Sequence, residues 1–165
     1  MNISARFSHF LISSRQTLPA ALCILCLPFY SKGQQSKLTV TPPQQISVKR
    51  GSAVEQRLQV QVLPGFHVNN DKPRAEYLIP LKLTWAEGPL EAEAITYPKP
   101  EEIKVGNDNL LVFTGEFPIR THFKAREQAA SGSAMMTGKL RYQACNSEMC
   151  FRPATADIRL PVVIQ

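Results

Sequence analysis

Beyond residue 33 the sequence contains only two cysteines, two histidines and one tryptophan. That scarcity argues against a metal site. Structural zinc takes four Cys/His ligands at short spacing, and His67 and His122 stand far from Cys145 and Cys150 along the chain. No metal and no cofactor is expected. No apolar run after Tyr30 reaches the roughly 20 residues of a membrane span. No basic stripe carries interleaved aromatics, so nucleic-acid binding has no support. Internal repeats and low-complexity tracts are absent. Strong helical periodicity is absent too: Thr121 to Ala130 is the best helical candidate, and it lacks a cap.

What the chain does have begins with an export signal. Arg6 and Arg15 give a positive start, Leu18 to Tyr30 is apolar, and Ser31-Lys32-Gly33 places small residues before a cut at Gln34. The apolar stretch of about 13 residues is short for a membrane span. Cys23 and Cys26 fall inside it, and neither is preceded by the small residue that lipidation needs. Residues 1–33 are therefore expected to be a signal peptide, and 34–165 one exported domain. Removing Arg6, Arg15 and Lys32 leaves 16 basic residues against 13 acidic, a net charge of +3.

The exported part reads as all-β. Ser36 to Thr41, Val54 to Leu63, Glu91 to Tyr97, Asn109 to Phe117, Ala134 to Cys145 and Phe151 to Ile164 have strand character, with apolar and polar residues alternating through much of it. Ile46 to Val48 and Phe66 to Asn69 are short. Leu78 to Trp85 holds Pro80, which argues for an edge or a bulge. Lys124 to Gly132 reads as an exposed loop. Thirteen prolines in the full chain, all but Pro19 and Pro28 in the exported part, and regular turns between short strands point to a β-sandwich.

The two remaining cysteines sit in Tyr142-Gln143-Ala144-Cys145-Asn146-Ser147-Glu148-Met149-Cys150-Phe151-Arg152-Pro153. A strand through Ala144, a polar turn and a second strand from Cys150 would set them facing across a hairpin. Cross-strand Cβ atoms lie roughly 4.5–5.5 Å apart, and a disulfide takes about 3.5–4.5 Å. The bond needs a small adjustment. In an oxidising compartment such a pair is either a staple or a redox centre. A ring of about six residues removes only ~2 kcal/mol of unfolded-state entropy, so the staple would be weak.

This segment, with Ile158-Arg159-Leu160-Pro161-Val162 after it, resembles the N-terminal periplasmic domain of the thiol:disulfide interchange protein DsbD. Pro64-Gly65-Phe66-His67-Val68-Asn69 is similar to that family's glycine-aromatic strand start, and Val112-Phe113-Thr114-Gly115 to its cap-loop stretch. The resemblance implies an immunoglobulin-like β-sandwich in the periplasm. It implies a protein-disulfide reductase component whose pair, Cys145 and Cys150, takes electrons from a thioredoxin-like protein or a membrane thiol conduit. The electrons pass to periplasmic disulfide proteins, those of cytochrome c maturation included. Phe113 matches the phenylalanine that caps the pair, and His67 and Asn69 match positions beside it. Arg152 departs from the family by replacing one of two prolines, and the cysteine loop holds four residues where some members have five. The sequence stops after this domain, so the reductant is expected to be another polypeptide.

A thiolate is favoured by nearby positive charge, and Arg152 and His67 are the candidates to supply it. Arg152 follows Cys150 closely, which makes Cys150 the more reactive thiol and Cys145 the resolving one. Two other readings stay open. One is a non-catalytic binding module with an inert disulfide. The other is a copper-handling protein, since Met135, Met136, Met149, His67 and the cysteines are soft ligands for Cu(I). Adjacent strand positions put Met135 and Met136 on opposite faces, which weakens it.

Overall fold

A computed structural model describes residues 36–165, and every regular element in it is a strand. The expected signal segment, with Cys23 and Cys26, lies outside the described residues. One sheet is built from β1 (Leu38–Val40), β3 (Ala53–Val62), β9 (Glu116–Ala125) and β6 (Leu90–Thr96), in that order. The second runs β2 (Ile46–Val48), β12 (Ala154–Ile164), β10 (Gly132–Tyr142) and β5 (Lys82–Trp85). The β2–β12 pair is parallel, and its neighbours are antiparallel. A third sheet holds β11 (Ala144–Cys145), β4 (His67–Asn69), β8 (Asp108–Phe113) and β7 (Glu101–Val105).

The first two sheets make an immunoglobulin-like sandwich, and side-chain alternation explains why. On β3 the inward set is Leu58, Val60 and Val62. On β12 it is Ile158, Leu160, Val162 and Ile164. On β3 the residues between them, Arg57, Gln59 and Gln61, are polar and point away from the core, as a half-buried antiparallel sheet requires. One cluster, with Leu38, Leu58, Phe117, Ile119 and Leu140, extends under the third sheet through Val68, Phe113 and Ala144. A second, with Phe123, Met136, Leu160 and Ile164, fills the other end.

Trp85 borders both clusters. Its ring meets Phe123 edge-on at 5.1 Å, and its Nε1 donates to Thr121 Oγ1 at 3.0 Å, tying the two sheets together. Trp85 pairs directly with Gly138, where a Cβ would come within 2.8 Å of the indole. Only glycine leaves room for the ring there.

The best helical candidate is corrected by the structure. Thr121 to Ala125 belongs to β9, which pairs with β3 on one side and β6 on the other. Phe117, Ile119, Thr121, Phe123 and Ala125 all point inward, a period of two that burial enforces over any local helical preference. Pro118 is tolerated because it lies beyond the end of β6, whose pairing stops at Thr96 and Arg120. Asn109 to Phe117 divides at Gly115, whose φ of +54° turns the chain between β8 and β9. Pro80 precedes a strand that begins only at Lys82 and forms the edge of its sheet.

Candidate redox site

The cysteine segment leaves the sandwich at Gln143. β10 ends at Tyr142, and β11 turns away to pair with β4 in the third sheet, Ala144 opposite Val68 and Cys145 opposite His67. Asn146 organises the loop that follows. Its Oδ1 accepts from Glu148 N at 2.9 Å and Met149 N at 2.8 Å, a turn that asparagine makes with its own side chain. The backbone closes it, with Asn146 N donating to Met149 O at 3.0 Å and Phe151 N to Ala144 O at 2.9 Å. Gln143 Nε2 holds Phe151 O at 3.0 Å. Cys145 and Cys150 thus meet as an antiparallel bridge with Cα atoms 4.0 Å apart, and they are joined as a disulfide.

The two sulfur-bearing residues are unequal. Cys145 is 2 % exposed, while Cys150 is exposed and follows Met149, itself 57 % exposed. A thiolate arriving from solvent reaches the Cys150 side of the bond.

Strand alternation sorts the neighbouring residues. Cys145 and His67 are directly paired and share one face of the third sheet, and Asn69, two residues from His67, shares it too. Phe113 pairs with Val68, which pairs with Ala144, so these three lie on the opposite face, toward the core. Phe113 is 3 % exposed, 4.9 Å from the Phe117 ring and 6.4 Å from that of Tyr97. Phe113 therefore packs in the core cluster beneath the sheet. The part of the chain facing the cysteine loop is the turn between β7 and β8. Ile103, Lys104, Val105 and Gly106 line a cavity of about 260 Å³ together with His67 and Ser147.

His67 is buried, and desolvation holds its pKa below the usual imidazole range. Burial thus favours the neutral imidazole, which works against His67 as a source of fixed positive charge. Asn69 is fully buried. Its Nδ2 donates to Ile79 O at 3.0 Å, which ties the segment before β5 to this sheet, and its Oδ1 has no protein partner. Arg152 is exposed in the short connection between Cys150 and β12.

One neighbouring group is missed by reading the sequence. Phe66, just before His67, and Phe151, just after Cys150, bring their rings to 5.7 Å, and Lys37 Nζ sits 4.8 Å and 5.7 Å from the two centroids. The signal was present: an aromatic residue flanks His67 and another flanks Cys150, the two residues that pair with Cys145. What joins them is the β4–β11 pairing, which the residue pattern alone does not reveal. The soft ligands are scattered. Met136 packs in the second core cluster, Met135 is half exposed on the other face of β10, and Met149 lies in the cysteine loop.

The family model for the N-terminal domain of the thiol:disulfide interchange protein DsbD matches residues 34–161. No curated protein matches the chain. Among solved structures, the chain is similar to the N-terminal periplasmic domain of ScsB from Proteus mirabilis, at 16 % identity and a TM-score of 0.52. That alignment covers 74 % of this chain and 44 % of the ScsB chain, so this chain spans under half of that relative's length. The N-terminal domain of Neisseria meningitidis DsbD, in its reduced form, aligns at 14 % identity and a TM-score of 0.37, over 64 % of this chain and 74 % of that one. At such identities the ScsB likeness shows the fold. The family match over residues 34–161 carries the assignment: the chain belongs to the family of DsbD N-terminal domains.

Proposed function

We propose that residues 34–165 form an exported periplasmic domain that exchanges thiols and disulfides through Cys145 and Cys150. A partner thiolate attacks the sulfur of Cys150, the exposed residue of the pair. A mixed disulfide forms there, the electron pair of the broken bond goes to Cys145, and a second exchange completes the transfer. The donor is a thioredoxin-like protein or a membrane thiol conduit, and the acceptors are periplasmic disulfide proteins. One observation carries this reading: a six-residue ring that stands outside both sandwich sheets, with one cysteine exposed and the other buried. An inert staple has no need of that asymmetry. Phe66, Phe151 and Lys37 supply an apolar, cationic rim against which a partner docks.

Redox titration in glutathione buffers, read by intact mass, tests the proposal. The expected potential lies above about −300 mV, the range below which structural disulfides of secreted proteins fall. A pair that stays oxidised throughout the titration would return the domain to a binding module with an inert disulfide.

A further inference from the structure

The buried half of the pair poses a problem of proton balance. When Cys150 is attacked, the electron pair lands on Cys145, and burial disfavours a thiolate there. When electrons leave the reduced protein, the same buried thiol must lose its proton before it attacks. Some group must move that proton, and Cys145 has little contact with water.

The titratable side chain directly across the strand pair from Cys145 is His67. Paired residues on an antiparallel ladder have Cβ atoms about 4.5–5.5 Å apart, within reach of an imidazole. Among the described residues no hydrogen bond engages its ring. His67 also lines the cavity at the β7–β8 turn, whose volume of about 260 Å³ exceeds that of several waters. His67 is thus the residue that is both paired with Cys145 across the ladder and part of the cavity lining.

We propose that His67 relays the proton of Cys145. In the resolving step its imidazole accepts the Cys145 thiol proton. The thiolate formed attacks Cys150 in the mixed disulfide, the Cys145–Cys150 bond forms, and the partner leaves as a thiolate. The proton on His67 then passes to water in the cavity. In the opposite direction the partner thiolate attacks Cys150, the bond to Cys145 breaks, and Cys145 takes a proton that His67 has received from solvent. No external oxidant or reductant is needed beyond the partner itself. The inference rests on the exchange reading above.

The surrounding charges leave His67 able to act as a base. Lys104 lines the same cavity. On β7 Glu102 is held by Arg74 at 3.0 Å, and Asp108 begins β8 at the turn. Glu148 is exposed on the cysteine loop, and Lys37 lies over Phe66 next door. The downward shift of His67 comes from burial alone. Burial therefore favours the unprotonated ring, the form that accepts a proton.

The resolving step can be watched by itself. Reduced protein mixed with the chromogenic disulfide dithiobisnitrobenzoate releases one coloured thiolate when Cys150 is modified and a second when Cys145 displaces the first adduct. In the wild type the second phase should rise at acidic pH and level off near neutrality. In His67→Gln the first phase should be unchanged. The second should slow about 10–100-fold around pH 7, the usual span for a lost general base, and recover as alkali ionises Cys145 directly. Added imidazole should accelerate the second phase of His67→Ala, a rescue that no packing defect would produce. Trp85 fluorescence confirms that each variant is folded. An unchanged second phase and pH profile in folded His67→Gln, or no imidazole rescue in His67→Ala, would overturn the relay. A wild-type protein with no second phase at all would instead remove the exchange reading, and the relay with it.

Discussion

Opening the disulfide should leave the domain folded, and the cost can be worked out. The bond closes a ring with a sequence separation of five. On the chain-entropy model a ring of about six residues gives ~2 kcal/mol at 25 °C. Little else depends on the bond. The Asn146 turn, the Phe151 N to Ala144 O bond and the Gln143 clamp hold the loop through amides and carbonyls that reduction does not touch. Cys145 stays paired with β4. For a domain of this size ~2 kcal/mol corresponds to a shift of about 1 M in a urea midpoint, or roughly 6–10 °C in melting temperature. Parallel urea melts of oxidised and reduced protein, followed by Trp85 fluorescence and far-UV dichroism, measure it. The m-values should agree, since the same surface is exposed in both. Unfolding on reduction, or a loss well above 4 kcal/mol, would refute the reasoning: the bond would then be a principal staple, and its redox role would lose its ground.

Alkylation of the reduced protein, read by peptide mass, should label Cys150 well before Cys145, and Arg152→Ala should slow the Cys150 reaction. Phe113→Ala should cost about 3–5 kcal/mol in denaturant melts, because the ring fills the core between Tyr97 and Phe117; a negligible loss would contradict the packing. Gly138→Ala should cost about 1–3 kcal/mol and change Trp85 emission, since the added carbon meets the indole. Burial lowers the folded-state pKa of His67, so the unfolded chain binds more protons in the window below 6.5. Stability should therefore fall as pH drops through that window, and His67→Gln should lose that part of the slope in melts run from pH 7 downward.

Much of this architecture is legible in the residues because burial imposes a period. β3, β10 and β12 announce themselves by alternation, and the edge position of β5 follows from Pro80. β9 is harder to read because Thr121-His122-Phe123-Lys124-Ala125-Arg126 mixes apolar and charged residues in a way that fits either period, and only pairing on both sides decides it. β7, Glu101 to Val105, carries two acids and a lysine on five positions and gives little apolar signal. The cysteine pair was visible in its spacing, and the unequal exposure of the two residues was not. It depends on β11 leaving one sheet for another, a change of partner that no short window of sequence encodes.

On the exchange proposed above, that change of partner would let one small domain keep stability and reactivity apart. The cores that hold the fold lie between the two sandwich sheets, and Trp85 and Phe123 join them. Cys145 lies on the third sheet, one face of which reaches the core through Val68, Phe113 and Ala144, while His67, Asn69 and Cys145, themselves buried, lie on the other. Because successive strand residues alternate, one strand serves both purposes. Ala144 anchors β11 in the apolar cluster, and the next residue is free to change its bonding. A disulfide between the two sandwich sheets could not open without disturbing the packing that defines the domain. Placed one residue beyond an anchored position, with its partner on an exposed turn, the same bond would on the proposed exchange open and close against an unchanged core.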